Sequence, residues 1–248
     1  RNLKKDNHIN TIKGLGKSKK AIVIGSGASL ASNISQLKSV YKLKHRPLII
    51  SVATTTKYLV NSGIKPDFVV IVDKDIELTH PLLSDFSLLK NSSLVYFPFV
   101  RPDVIQAWQG RKYAAYSDGL IFKEIKKKFP HGTLFSGGSV IHPATDLAVW
   151  LGCNDITFFG VDFSYVTEQT HVGWSGASLP NYLGIGPKDA RNRSIINGYG
   201  QPVKTVDNFI GYLVELERYI ESHPDINFWN SSHLGAVISG CKYKEDFK

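Results

Sequence analysis

The first segment of this 248-residue chain whose residue types and spacing suit ligand binding is glycine-rich: Gly25-Ser26-Gly27-Ala28-Ser29. It lies between a short apolar run and a helical pattern, where glycines allow a tight turn and the helix N-terminus offers N–H groups to an anion. Leu30 stands where the dinucleotide-binding fingerprint has its third glycine, and the chain has no Walker A sequence. We therefore interpret the segment as a phosphate-facing loop, with a plain tight turn as the alternative.

Two carboxylates follow the third predicted strand, at Asp73 and Asp75. Hard cations such as Mg²⁺ take oxygen ligands, so the pair can hold a metal ion against a diphosphate. In the alternative interpretation, Asp73 bonds a ribose or base and Asp75 caps the next helix. The residues alone leave both interpretations open.

A second glycine-rich segment, Ser136-Gly137-Gly138-Ser139, precedes another predicted helix. Such a helix entry can place backbone amides near a phosphate or a carboxylate. It is equally typical of an N-cap turn with no ligand.

A later predicted strand ends at Gly160-Val161-Asp162, and His171 follows nine positions beyond Asp162. Histidine titrates near neutral pH, and a loop over the carboxyl edge of a sheet is a suitable place for a general base. His142 lies inside a predicted helix, which is more typical of a structural histidine. No Gly-x-Ser-x-Gly elbow is present, which disfavours a Ser-His-Asp hydrolase.

Short apolar runs alternate with helical patterns and indicate a Rossmann-like α/β fold, a mostly parallel sheet with helices on both faces. Ligands of such sheets bind beyond the carboxyl ends of the strands, where the residues above lie. We expect a lead-in or linker over 1–19 and one nucleotide-binding domain over 20–243, with a long loop or lid at 163–202, after the strand that ends at Gly160. The predicted strands are 20–24, 47–52, 67–72, 93–97, 112–116, 155–159 and 226–229, and the predicted helices are 29–41, 54–62, 103–108, 120–129, 139–151 and 206–222.

The composition narrows the class of partner. A formal net charge of +9 favours anionic partners, but no RNA-binding aromatic-basic signature accompanies the lysines, so we expect a solvated basic face and no nucleic acid. The sequence contains no apolar stretch of about 20 residues that would span a membrane and no secretory signal pattern. Cys153 and Cys241 suit buried thiols in a reducing compartment, and we predict a cytoplasmic protein.

Taken in order, several blocks resemble the central domain of the bacterial motility accessory factors (Maf). That domain shares a family with the archaeal MptE-like 6-hydroxymethylpterin pyrophosphokinases. The resemblance covers about residues 1–243. The blocks that carry it are Ile22–Leu30, Lys57-Tyr58-Leu59, Gly63–Phe68 with Asp73, Ser136–Val140, Asp146-Leu147-Ala148 with Leu151-Gly152, Phe159–Asp162, Thr170-His171, Asn230, Gly235-Ala236 and Ile238-Ser239-Gly240.

The resemblance implies a Rossmann-like domain related to bacterial sialyltransferases that use CMP-activated sugars. It implies transfer of a nonulosonic acid from CMP to Ser/Thr hydroxyls of flagellin, with no cofactor required. By motif position, His171 would be the general base. Gly25, Gly27 and Ser29 would face the nucleotide phosphate, and Asp73, Ser136, Gly137 and Gly138 would line the pocket.

Two other functions stay open on the sequence. One is a pyrophosphokinase of the pterin type, in which Asp73 and Asp75 hold Mg²⁺ for ATP. The other is a noncatalytic nucleotide-binding module that handles flagellin as a chaperone before export.

Overall fold

The computed structural model describes residues 2–17, 19–174 and 193–244, in which eleven strands and six α-helices form. The strands are β1 (Asn7–His8), β2 (Lys20–Ile24), β3 (Leu48–Val52), β4 (Phe68–Ile71), β5 (Ser93–Tyr96), β6 (Lys112–Ala114), β7 (Asp155–Phe159), β8 (Ser194–Ile196), β9 (Pro202–Lys204), β10 (Asn227–Asn230) and β11 (Lys242–Tyr243). The α-helices are α1 (Leu30–Tyr41), α2 (Thr56–Asn61), α3 (Pro102–Ala107), α4 (Lys123–Lys128), α5 (Ile141–Trp150) and α6 (Asp207–Glu221). Short 3₁₀ helices cover Asn2–Lys4, Ile9–Ile12, Ala53–Thr55, Phe86–Leu89, Leu120–Phe122 and Val166–Glu168.

Nine of these strands form one sheet in the order β1-β6-β5-β4-β3-β2-β7-β10-β11, and every neighbouring pair is parallel. From β2 the chain builds outward through β3, β4, β5 and β6, and then returns to place β7 on the other side of β2. At the centre of the sheet, Val23 of β2 aligns with Ile50 of β3 and Phe158 of β7. The strand order therefore reverses between β2 and β7, which is where open α/β sheets bind ligands.

Both faces of the sheet are buried, which explains why the strands are continuous apolar runs. In β2, Ala21 and Val23 pack in the cluster that includes α5 and α6, whereas Ile22 and Ile24 pack in the cluster that includes α1. Successive side chains of a strand point to opposite faces of the sheet, so β2 contacts helices on both faces. The Rossmann-like α/β fold predicted from the sequence is confirmed.

The first residues differ from the sequence-based expectation. A polar lead-in is predicted for 1–19, but β1 pairs with β6 at the edge of the sheet, and the side chains of Ile9 and Ile12 are buried in the main core. A two-residue strand and single-turn helices are too short to show a hydrophobic period, so the pattern of the sequence does not reveal them.

The predicted loop over 163–202 also contains regular structure. β8 lies there and pairs as an antiparallel hairpin with β9, which begins at the last residue of that loop. Val166–Glu168 forms a 3₁₀ helix. Residues 175–192 of that loop lie outside the described residues. In the described ranges, no helix is both long and apolar enough to cross a membrane.

Candidate active site

A cavity of about 1260 Å³ lies at the carboxyl ends of the central strands, at the point where the strand order reverses. Sites for small ligands usually enclose about 300–1,000 Å³, so this cavity has room for a molecule of nucleotide size. It is lined by residues 25–27, 52–54, 70–77, 79–81, 99, 101, 138–141, 160–165, 170–171, 206, 208–209 and 212. The loops that follow β2, β3, β4 and β7 thus meet around one space.

The loops after β2 and β7 pack directly against each other at the floor of the cavity. The Gly27 N–H donates to the Gly160 carbonyl oxygen at 2.8 Å. A β-carbon on Gly25 would clash with that same carbonyl, and one on Gly27 would lie 2.5 Å from Asp162 Oδ2. Close approach of the two loops therefore requires both glycines, independently of any ligand.

Asp162 occupies the N-terminus of α1. Its Oδ2 accepts the Ser29 N–H at 2.9 Å, and its Oδ1 accepts the Ser29 hydroxyl in a very short hydrogen bond. Burial raises the pKa of Asp162 to about 6, although the two hydrogen bonds from Ser29 oppose this shift. The sequence predicts that a ligand phosphate binds at this helix N-terminus. In the structure, the Asp162 carboxylate already accepts hydrogen bonds there.

His171 lies on the loop that follows the 3₁₀ helix after β7 and contributes to the cavity wall. The neighbouring Val172 N–H donates to the Ser26 carbonyl oxygen at 2.8 Å, which ties the histidine loop to the glycine-rich loop. Burial lowers the pKa of His171 to about 4, and the nearby His80 adds to this effect. His171 is therefore neutral at neutral pH and has a nitrogen lone pair that can accept a proton.

Asp73 and Asp75 line the cavity on the segment after β4, but their carboxylates differ in setting. Asp73 Oδ1 accepts the Asp75 N–H at 2.8 Å, while the Asp75 carboxylate lies 3.6 Å from Lys74 Nζ at the exposed rim. Across the described residues, no three or more His, Cys, Asp or Glu side chains cluster as metal ligands. The two carboxylates thus fit Mg²⁺ poorly as a pair, and the metal site stays a prediction.

His80 is a cavity residue that the sequence interpretation missed. Its Nδ1 accepts the Leu82 N–H at 3.3 Å, so the neutral ring carries its proton on Nε2. Burial lowers the pKa of His80, and Asp73 opposes that shift. His80 follows Asp73 on the same segment after β4, and examining the whole of that segment would have found it.

The second glycine-rich segment is held by a buried histidine. His142 Nδ1 accepts the Ser139 N–H at 3.1 Å, and its Nε2–H donates to the Tyr212 carbonyl oxygen of α6 at 2.9 Å. A β-carbon on Gly137 would lie 3.0 Å from the His142 ring, so the segment packs closely on that side chain. Burial lowers the pKa of His142. Its contacts with Ser139 and Tyr212 fit the structural role expected for it.

The walls of the cavity combine aromatic rings with few cations. The rings are those of Phe99, Phe163, Tyr165, Phe209 and Tyr212, and Tyr165 lies 5.3 Å from Phe209 between centroids. Among the described lining residues, the basic side chains are Lys74 and Arg101, and each forms an ion pair with a carboxylate. Any phosphate group would thus depend on backbone N–H groups as well as on cations.

A family model described as 6-hydroxymethylpterin diphosphokinase MptE-like matches residues 1–168, about two thirds of the chain. The chain belongs to the MptE-like family. No curated protein sequence is significantly similar to this MptE-like chain.

Two solved structures resemble the MptE-like domain. The Maf glycosyltransferase from Magnetospirillum magneticum AMB-1 aligns with a TM-score of 0.69 and 18% identity over 96% of this chain and 37% of that protein. The chain thus spans little more than a third of that relative's length. The sialyltransferase CstII from Campylobacter jejuni, solved in complex with a substrate analogue, cytidine-5′-monophosphate, aligns with a TM-score of 0.41 and 14% identity over 90% of this chain and 86% of that protein. The match to the Maf glycosyltransferase shows that the MptE-like chain shares the fold of the aligned part of that protein.

The structure brings together most of the site residues predicted from the sequence. Gly25, Ser26, Gly27, Asp73, Asp75, Gly138, Ser139, Asp162 and His171 line the cavity of the MptE-like domain. Ala28 and Ser29 are buried beside α1 and do not line it, and Ser136 and Gly137 lie outside the lining as well. Their predicted ligand contacts stay predictions.

Proposed function

We propose that this MptE-like domain is the catalytic domain of a cytoplasmic, CMP-sugar-dependent glycosyltransferase that transfers a nonulosonic acid to Ser/Thr hydroxyls of flagellin. The observation that carries the proposal is His171, neutral and facing the cavity at the reversal of strand order. The fold shared with a Maf glycosyltransferase supports the same class of reaction. The proposed reaction requires no cofactor.

In the proposed reaction, His171 takes the proton from an acceptor hydroxyl as its oxygen attacks the anomeric carbon of the sugar. The bond from that carbon to the phosphate oxygen breaks, and CMP leaves with the electron pair. The Gly25 and Gly27 N–H groups already donate to the Phe159 and Gly160 carbonyl oxygens. We therefore assign the leaving phosphate to the Ser26 N–H of the glycine-rich loop and to the guanidinium of Arg101, both in the cavity lining. The hydrogen bond from the Val172 N–H to the Ser26 carbonyl oxygen holds the neighbouring His171 at a fixed position relative to that loop.

A pyrophosphokinase that uses ATP and Mg²⁺ is the second candidate. The family description names a diphosphokinase, and Asp73 and Asp75 line the same cavity. Two contacts argue against a metal ion held by this pair. One Asp73 carboxylate oxygen accepts a hydrogen bond from the Asp75 N–H, and the Asp75 carboxylate pairs with the Lys74 ammonium group. Of the two carboxylates, Asp73 is the better candidate ligand for the metal ion. The ion would neutralise phosphate charge.

Thermal-shift measurements with CMP, CMP-sialic acid, ATP and GTP, each with and without Mg²⁺, separate these functions. A ligand at a hundred times its dissociation constant stabilises the native state by about 2.7 kcal/mol, which raises the Tm by several degrees. Selective stabilisation by cytidine nucleotides without metal supports the glycosyltransferase. Selective stabilisation by ATP that requires Mg²⁺ would replace it with the pyrophosphokinase. Binding without turnover, unchanged in His171→Ala, would indicate a noncatalytic nucleotide-binding chaperone.

A further inference from the structure

A surface tip formed by residues 120–128 takes no part in the cavity described above. Leu120 is 86% exposed and Ile121 is 65% exposed, and both lie in the 3₁₀ helix that runs directly into α4. Single exposed apolar residues are ordinary, but two adjacent aliphatic side chains that protrude this far mark a surface suited to an apolar partner.

The tip is held firmly by the residue that follows the aliphatic pair. Phe122 is buried, and its ring lies 5.2 Å from Tyr116 and 4.9 Å from Phe99 between centroids. The Tyr116 hydroxyl donates to the Phe129 carbonyl oxygen at 3.0 Å, which fixes the far end of the segment. Leu120 and Ile121 are thus presented by an anchored element.

Positive charge follows the aliphatic pair along the chain, whereas the exposed Asp118 precedes it. α4 contains Lys123, Lys126, Lys127 and Lys128 against the single acidic residue Glu124, so residues 120–128 have a net charge of +3. Glu124 pairs with Lys127 at 2.7 Å, and Lys126 lies 5.9 Å above the Tyr116 ring. Lys123 and Lys128 are exposed to solvent.

We propose that this tip docks on an anionic membrane surface, with Leu120 and Ile121 inserted among the lipid chains and the lysines near anionic headgroups. Protruding aliphatic side chains fit a fluid lipid interface, whereas a folded protein partner would have to supply a matching pocket. Clustered lysines are attracted to the anionic lipids of the cytoplasmic leaflet. A nucleic acid would match the lysines but would leave Leu120 and Ile121 in water.

The docking would orient the cavity. Phe99 lines the cavity and also packs on Phe122 at the base of the tip. An inserted tip therefore brings one rim of the cavity close to the headgroups. This inference does not depend on the reaction that the cavity performs.

Co-sedimentation with vesicles tests the proposal. The protein is mixed with vesicles of phosphatidylcholine alone, or of phosphatidylcholine and phosphatidylserine, at low and high salt. We expect binding only when phosphatidylserine is present, weakened by salt. Lys123→Gln/Lys127→Gln/Lys128→Gln should weaken binding by about fivefold per lysine. Leu120→Ser/Ile121→Ser should weaken it by at least about tenfold because less apolar surface is buried.

Matched controls are available elsewhere on the surface. Leu15 is 66% exposed and Lys90 is exposed, so Leu15→Ser and Lys90→Gln change the same residue types away from the tip. Circular dichroism and thermal melting should show that all these surface variants fold. Leu120→Trp should give a blue-shifted fluorescence difference on anionic vesicles, and Leu15→Trp should not.

Three results would overturn the proposal: no binding to anionic vesicles, equal binding by the control and tip variants, or binding that needs the lysines but not Leu120 and Ile121. The last result would identify a face that binds polyanions without inserting. The thermal-shift outcome with nucleotides is independent of all three.

Discussion

Both oxygens of the Asp162 carboxylate accept hydrogen bonds from Ser29, a residue 133 positions earlier in the chain. The pair joins the loop after β7 to the start of α1, directly behind the cavity floor. It also places a carboxylate where the dipole of α1 is positive. A phosphate that approaches the glycine-rich loop therefore meets a helix terminus that already has an acidic partner.

Removal of the Asp162 carboxylate should destabilise the fold. Asp162→Ala leaves the buried N–H and hydroxyl of Ser29 without their acceptor, and we expect a loss of about 2–4 kcal/mol in the free energy of unfolding. Asp162→Asn retains an acceptor for the N–H and should lose much less. Urea unfolding at about pH 4, where the contribution of the carboxyl group is fully present, measures both, and equal stabilities for the Ala variant and the wild type would contradict the assignment.

The same pair should make stability depend on pH. The pKa of Asp162 is raised in the folded state to about 6 from 3.8, so its contribution is fully present below about pH 4 and is lost as the pH rises through about 6. This difference in pKa between the folded and unfolded states corresponds to about 3 kcal/mol. The unfolding free energy of Asp162→Asn minus that of wild type should rise by this order between about pH 4 and pH 7. A difference that does not vary with pH would show that the carboxylate keeps its ordinary pKa.

The Gly27 position should tolerate no side chain. A β-carbon there would lie 2.8 Å from the Gly160 carbonyl oxygen as well as against Asp162, so Gly27→Ala must separate the two loops. We expect a loss of about 2–4 kcal/mol, as for other overpacked or broken buried contacts. Gly211→Ala is the matched control, because a β-carbon at that position inside α6 would meet nothing within 4 Å. That control should gain up to about 1 kcal/mol.

His171 should be required for turnover and not for nucleotide binding. We expect His171→Ala to lower kcat by about 10²–10⁴, with the dissociation constant of CMP changed by no more than about threefold. His45→Ala changes an exposed histidine and serves as the control. A loss of CMP affinity equal to the loss of kcat would instead indicate a binding role.

The pH profile of that activity gives a second readout. The base must be neutral, and its pKa in the free protein is lowered to about 4, so kcat/KM should stay level as the pH falls to about 5 and decline only below it. A decline centred near the ordinary histidine value would show that His171 is less buried than the cavity geometry implies.

His142 should be needed for stability and for the order of the second glycine-rich segment. His142→Ala removes the acceptor of the Ser139 N–H and the imidazole donor to the Tyr212 carbonyl and opens a cavity, which should cost about 2–4 kcal/mol. Hydrogen exchange should then be faster at residues 136–139. Unchanged exchange there would mean that other contacts hold the segment.

The sequence predicts the sheet well because the central strands are short apolar runs buried on both faces. β2, β3 and β7 all appear within one residue of their predicted limits. The prediction lacks β1, β8, β9 and β11, since two or three residues at an edge or in a hairpin have no period to detect. The local sequence pattern does not predict which strands pair when they are far apart in the chain, as β2 and β7 are.

The candidate site is predicted less completely. The residues after each strand predict the cavity wall, because the carboxyl ends of parallel strands meet at one edge. They cannot indicate that the Asp162 carboxylate turns toward Ser29, because the partner lies on a distant element. Nor do they indicate the aromatic wall from Phe209 and Tyr212, which depends on how α6 packs against α5.

The strand order also has a consequence for synthesis on the ribosome. β2 lies inside the finished sheet between β3 and β7, but β7 is synthesised about a hundred residues after β3. At about 5–20 residues per second, one edge of β2 stays open for on the order of ten seconds. An apolar strand with an open edge can pair with a neighbouring nascent chain. That edge is covered only when residues 155–159 have been synthesised and β7 pairs with β2.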